Sequence, residues 1–434
     1  MLNKKINIVI ALFGITFLKA QDVLTVEQAI KTGLEKNYAV MISRNETEIT
    51  KAQNNFGNAG MSPQVSLNGN LSLANLNSYQ EFSNGTVQDR QGAQSNSTGA
   101  SLNVNWVVFD GMKMFAVKKR LSQNEQLSSL QLKQQMENTV YEIVNAYYDV
   151  VRIQQLMKAA QQNLAVYEER KKIAKLKLDI GSDSKVDLLL TEADENKAKS
   201  NLLKLEQQLL SAKTGLNVLM NVAPDADFKT TTEIATNYNP AYDELKKSAL
   251  KNNSSLLMAL QNEMIAEQSI KEARSGFLPQ LQLNASYNFI RNQSQAGFLF
   301  LNQQNGVNAG LSAGWLLFSG NKNNKLVKER QIRLLNQKNL TELNKQQVDA
   351  MVYIHYQNYL TNKKILELEL YNLKGAEELL SVSMERYKIG KANLLETKEA
   401  QSNLEEAQTR MINASYDCKK SETELLRSNG DLVK

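Results

Sequence analysis

The chain states one pattern twice. Trp106-Val107-Val108-Phe109-Asp110-Gly111 returns as Trp315-Leu316-Leu317-Phe318-Ser319-Gly320, and Ile180-Gly181 returns as Ile389-Gly390, both at an offset of 209. Upstream, Ser62-Pro63-Gln64-Val65-Ser66-Leu67-Asn68 matches Leu278-Pro279-Gln280-Leu281-Gln282-Leu283-Asn284 at an offset of 216. An offset that holds from 109–181 to 318–390 marks a long segment that tolerates no insertion. Internal repetition on this scale makes two equivalent halves, each supplying part of one larger object.

Each half carries charge-free stretches with strict alternation. Val65, Leu67, Leu71 and Leu73 are separated by Ser and Asn, and Leu102, Val104, Trp106 and Val108 alternate with Ser101, Asn103 and Asn105. The second half repeats this with Leu281, Leu283, Ala285, Tyr287 and Phe289, then Ala309, Leu311, Ala313, Trp315 and Leu317. Period two predicts strands at about 64–75, 100–109, 280–290 and 307–318 with one apolar face and one uncharged polar face. Segments of about ten residues fit staves of a transmembrane barrel, apolar toward lipid and polar toward a lumen. Trp106 and Trp315 then fall where an interfacial aromatic girdle lies. The Asn-, Gln-, Ser- and Gly-rich stretches 76–99 and 291–307 read as exposed connections. Four strands close nothing, because the smallest such barrels have about eight, and open edges in lipid leave backbone groups unpaired. The chain is therefore expected to oligomerise: two copies give eight strands and three give twelve.

Between strand pairs the period changes. No proline lies between 64 and 223 or beyond 279, so helices can run unbroken from Gly111 to Ile180 and from Gly320 to Ile389. At 1.5 Å per residue each makes a rod of about 100 Å. Gly181 and Gly390 terminate the rods at tight hairpin tips, and Ser184 and Asn393 open return helices with capping-box-like starts. These patterns divide the chain into a first repeat (21–221, hairpin 112–221), a linker (222–240, with Pro224 and Pro240) and a second repeat (241–434, hairpin 320–430).

The N-terminus has its own pattern. Lys4 and Lys5 precede an apolar run, Ile6 to Leu18, that is too short to span a membrane and reads as a secretory signal over 1–20. No cysteine follows it, so no lipid anchor is expected there. Its removal leaves 48 basic against 45 acidic residues, too even a balance to suggest a nucleic-acid partner. A single cysteine, Cys418, and a single histidine, His355, leave little for a disulfide, a metal site or a nucleophilic triad. No catalytic residue, metal or cofactor is assigned.

Taken in order, these pieces resemble the TolC-type outer membrane efflux protein family. The marks are Leu24-Thr25-Val26-Glu27-Gln28-Ala29-Ile30, the Gly276-Phe277-Leu278-Pro279-Gln280-Leu281 turn, both Trp-to-Gly phrases and both Ile-Gly tips. The resemblance implies a membrane α+β fold: a transmembrane β-barrel completed by a homotrimer, four strands per chain, fused to a periplasmic α-helical tunnel. A helix of about 39–60 stacked on one of about 184–221 is then expected alongside the continuous rod. It also implies a periplasmic adaptor and an inner-membrane pump as partners, and passive conduction across the outer membrane rather than enzyme chemistry.

For the gate, the resemblance places an inward carboxylate pair on Glu396 and Glu399, the tyrosine of a constraining network on Tyr387, and its acidic partner on Asp187. The family's arginine position holds Ala392, so the latch is expected to differ. Asp187 and Glu396 also suit simple helix capping, worth about 0.5–2 kcal/mol. Glu399 lies one turn later on the same face, and its repeat mate is Leu190. Clustered carboxylates at a narrow mouth favour cations. The competing reading, a periplasmic adaptor, has one helical hairpin set in a small β-rich domain.

Overall fold

The computed structural model describes residues 23–181, 184–236, 238–296 and 299–433. The expected export signal, 1–20, lies outside the described residues. A short strand, β1 (Val23–Leu24), and two helices, α1 (Val26–Lys36) and α2 (Tyr38–Gln53), lead into strands β2 (Gln64–Glu81) and β3 (Val87–Phe109). The rod α3 (Lys113–Asp179) and the return helix α4 (Lys185–Leu219) follow. A second short strand, β4 (Lys229–Thr230), pairs in parallel with β1 and ties the start of the chain to the inter-repeat segment. The second half then repeats the order with α5 (Tyr242–Asn252), α6 (Ser254–Arg274), β5 (Gln280–Ser294), β6 (Leu301–Gly314), α7 (Lys322–Lys388) and α8 (Leu394–Asn429).

The offsets read in sequence are offsets in structure. Rods α3 and α7 have 67 residues each, and the smaller of the two sequence offsets relates both their first residues and their last. Both begin with two left-handed residues, Gly111 and Met112 (φ 71° and 69°), then Gly320 and Asn321 (φ 61° and 64°). A Cβ on Gly111 would lie 2.5 Å from the Ser275 carbonyl oxygen, so glycine is needed there for contact as well as conformation. Asp110 Oδ1 accepts from Met114 N at 3.0 Å, and its mate Ser319 Oγ accepts from Asn323 N at 3.3 Å, satisfying one orphan donor of each rod.

The helix pairs α1–α2 and α5–α6 keep the upstream offset instead, and break at Asn37 and Asn253. Asn37 Oδ1 accepts from Ala39 N and Val40 N, while its Nδ2 donates to Leu219 O at 2.9 Å. Asn253 does the same with Ser255 N, Leu256 N and Ser428 O, again 2.9 Å for the last. One side chain thus starts a helix and holds the end of the return helix. A core cluster surrounds each joint: Ala29, Ile143, Val150 and Leu216 in the first half, and their mates Leu245, Val352, Tyr359 and Leu425 in the second.

The sheet runs β2-β3-β5-β6, antiparallel throughout. Its register aligns Leu67–Leu102–Tyr287–Val307 and Val65–Val104–Ala285–Ala309 on one face. Ser66–Asn103–Ser286–Asn308 and Asn68–Ser101–Asn288–Gly306 line the other. The apolar face is exposed in the single chain, with Leu67 77% and Val307 74% accessible. Outer strands β2 and β6 have one neighbour each, so both sheet edges are open.

Three expectations are corrected. Residues 76–99 and 291–307 are largely strand: β2 and β3 pair as far as Glu81 and Val87, and β6 begins at Leu301. Polar residues on both faces gave no alternation there, yet their backbones pair freely. A bulge at Asn77, whose Oδ1 accepts from Gly92 N at 2.8 Å, redirects the first hairpin where it outruns the second. Strand β6 ends at Gly314, so Trp315 lies beyond it. Helix α2 stops at Gln53, where Asn55 and Asn58 side chains take up local hydrogen bonds and Asn54 Nδ2 donates to Glu125 Oε2 on α3.

Candidate functional site: the hairpin tips

Both tips turn on a left-handed glycine, Gly181 (φ 73°) and Gly390 (φ 74°), whose N–H groups donate to Leu178 O and Tyr387 O. On the first tip Ser184 Oγ accepts from Asp187 N at 3.3 Å and donates to Asp187 Oδ2 at 3.2 Å, so Asp187 is engaged by its own helix cap. On the second, Asn393 Oδ1 accepts from Glu396 N at 2.8 Å. The Glu396 carboxylate takes a 2.7 Å hydrogen bond from Arg386 Nη1, and Arg386 Nη2 reaches Lys391 O at 3.3 Å. Arg386 therefore ties α7 to α8 across the turn. The sequence reading missed it, having looked for an arginine at 392; the signal was a basic residue just before the Ile-Gly tip, on the opposite arm of the hairpin from Glu396.

Tyr387 is 1% exposed and belongs to an apolar cluster with Ile173, Leu380, Met384, Ala400 and Leu404. The Lys177 ammonium sits over its ring, 3.7 Å from the centroid, joining the first hairpin to the second. Glu399 is exposed one turn beyond Glu396 and makes no hydrogen bond or ion pair among the described residues. Of the four residues expected at the gate, three are engaged within the chain, and the Glu399 carboxylate has no partner among the described residues.

Above the tips the two hairpins are clasped. Arg170 of α3 is fully buried; Nη1 donates to Gln401 Oε1 at 3.0 Å and Nη2 to Asp194 Oδ2 at 2.6 Å. Lys398 Nζ adds a 2.9 Å bond to Asp194 Oδ1, and Asn163 Nδ2 donates to Gln408 Oε1 at 2.8 Å. Burial pushes the Glu405 carboxyl above its usual range, with hydrogen bonding from Tyr167 and the Arg170 charge pulling the other way. These residues lie on α3, α4 and α8 at sequence separations of up to 245, which is why no local pattern revealed them.

The tryptophans have a role the girdle reading did not include. Trp106 Nε1 donates to Met61 O at 2.9 Å, and Trp315 Nε1 to Phe277 O at 3.0 Å. Each links the end of one strand to the chain entering its partner, at the joint between sheet and rods.

An open sheet with one apolar and one uncharged face, carried on two long helical hairpins, defines an outer membrane channel whose barrel is completed by association. No helix among the described residues is long and apolar enough to cross a membrane. A family model described as outer membrane efflux protein matches residues 29–222 and 245–431, one match per half. The chain belongs to the outer membrane efflux protein family. It is 24% identical over 351 residues to outer membrane protein TolC of Escherichia coli, covering 77% of this chain and 70% of that protein. It is 21% identical over 344 residues to outer membrane efflux protein BepC of Brucella suis, covering 76% and 72%. In fold it is similar to CusC (TM-score 0.78, 16% identity, covering 93% of this chain and 92% of that chain). It is also similar to the outer membrane protein VceC of Vibrio cholerae (TM-score 0.76, 15% identity, 93% and 96%).

Proposed function

We propose that three copies of this chain form one continuous duct: a twelve-stranded barrel in the outer membrane, opening into a periplasmic tunnel of paired hairpins. The observation that carries this reading is the sheet's register, which gathers the alternating apolar residues of all four strands on one face while both edges stay unpaired. Joining β6 of one copy to β2 of the next removes the edges. In the tunnel the order across one chain is α4-α3-α8-α7, so α4 and α7 are its free flanks. The chain conducts and performs no chemistry; energy comes from an inner-membrane pump reached through a periplasmic adaptor at the tips. One helical hairpin in a β-rich domain, the adaptor architecture, does not describe two hairpins rising from a single sheet.

At the mouth, Glu396 and Glu399 of three copies present carboxylates on one face of α8, and this ring favours cations. Planar-bilayer recording of Glu396→Ala combined with Glu399→Ala tests it. Weaker block by divalent cations is expected, and unchanged block removes these residues from the constriction. Migration of the purified protein as a monomer without detergent ends the duct reading itself.

A further inference from the structure

One charge interrupts the wall of the sheet. Arg291 on β5 is the only Asp, Glu, Lys or Arg between Arg274 and Lys322, and β2 and β3 carry none from Gln64 to Gln80 or from Gln91 to Phe109. The register sets Arg291 directly opposite Thr98 and Gln303, in the row of Leu71 and on the face of Phe289. The wall's one cation therefore shares the apolar face, not the polar one.

Its height on that face is fixed by the apolar band. Outward apolar positions end at Leu73, Ala100, Phe289 and Val307 on β2, β3, β5 and β6, and the next outward residues are Asn75, Thr98, Arg291 and Asn305. This boundary climbs across the sheet from β6 to β2, as staves tilted in a bilayer require. From Leu281 to Arg291 the strand runs about 33 Å, which at a tilt of about 40° spans about 25 Å, the height of a barrel's apolar band. Trp106 and Trp315 mark the end near the rods, so Arg291 lies at the far boundary, level with the head groups of the outer leaflet. A lipid-facing cation is costly at mid-bilayer and tolerated at this depth.

The protein supplies no counter-ion there. The Arg291 side chain is exposed and makes no hydrogen bond or ion pair among the described residues. The nearest carboxylate along β3, Asp89, lies nine residues from Thr98, about 30 Å along the strand. Joining β6 to the β2 of another copy adds no carboxylate before Glu81. The anion must come from the membrane.

We propose that Arg291, flanked by Thr98 and Gln303, binds the phosphate of an outer-leaflet lipid head group, one lipid per chain. A guanidinium presents paired N–H groups in a fixed fork that matches phosphate oxygens. The Thr98 hydroxyl and the Gln303 amide are exposed donors at the two directly opposite positions. Asn96 and Gln293, the next outward pair, add uncharged amides beside the polar part of the head group. The proposal rests on the duct reading only in placing this sheet in the outer membrane.

Native mass spectrometry of the detergent-purified assembly, with diphosphoryl lipid A added, counts bound lipids and chains in one spectrum. Wild type is expected to hold one lipid per chain, and Arg291→Gln to lower that occupancy several-fold with the number of chains unchanged. Arg90→Gln removes the same charge beyond the Asn77 bulge and is expected to bind as wild type does. Lipid A stripped of both phosphates is expected to bind wild type no better than it binds Arg291→Gln. Equal diphosphoryl lipid on wild type and Arg291→Gln, an equal loss in Arg90→Gln, or full occupancy of wild type by the phosphate-free lipid overturns the proposal while the duct reading stands. A protein that is monomeric without detergent overturns both.

Discussion

The two halves of the molecule agree at their joints and disagree at their tips. Asn37 and Asn253 make the same three hydrogen bonds, Trp106 and Trp315 donate to equivalent carbonyls, and Asp110 and Ser319 cap their rods alike. Near the tips, Arg170 faces Leu379 across the repeat, Lys398 faces Leu189, and Glu399 faces Leu190. A joint between sheet and rod meets identical demands in both halves. A tip does not, because one face of each hairpin meets its own chain and another meets a neighbour or the lumen. Duplication preserved the frame and left the tips free to specialise.

The largest effect that separates the halves is expected at the clasp. Arg170→Leu gives α3 the residue of its mate and should destabilise the protein by about 3–5 kcal/mol in denaturant unfolding, because Asp194 and Gln401 lose a buried partner. Lys398→Leu, the parallel change on α8, should cost no more than about 1 kcal/mol, since that ammonium is half exposed and its pair is screened. Equal losses would make the clasp an ordinary surface pair. Next come the joints: Asn37→Ala and Asn253→Ala should each cost about 1–2 kcal/mol, with Asn253 the larger because it is buried. A cost at only one joint would break the equivalence of the halves.

The smallest effect is one of pH. The folded state raises the Glu405 carboxyl, so the unfolded chain gives up this proton first and protonation favours folding. The stability linked to this group is complete below the ordinary carboxylate range, and it is lost as pH climbs from there through the raised folded value. The mate of Glu405 is Asn196, already an amide. Glu405→Gln should therefore be more stable than the parent at neutral pH and converge with it in acid. A difference that persists below pH about 4 would assign the effect to packing rather than ionisation.

Much of this was legible because rods and staves impose rigid periods. A 67-residue helix fixes its own length, so equal offsets in sequence became equal helices. The barrel face was visible wherever leucine and valine alternate with serine and asparagine, and faded where both faces turn polar, at 76–99. Counting from Gly390 set Glu396 and Tyr387 near the tip as expected positions of the resemblance, whereas the Arg386 pairing with Glu396 is set by the fold of the turn and has no such mark. The clasp was invisible for a stronger reason. Arg170, Asp194 and Gln401 come from three helices, and nothing local distinguishes a buried arginine from the solvated ones around it.

The ribbon beyond the Asn77 bulge has its own consequence. Strands β2 and β3 continue past the last pairing with β5 to a turn at Asn84 and Gly85, and they carry Glu81, Asp89 and Arg90 out of the uncharged wall. With the rods in the periplasm, this turn is on the cell's outer surface. Whatever approaches the cell from outside meets this turn first, and its residues can change without disturbing one stave of the barrel beneath.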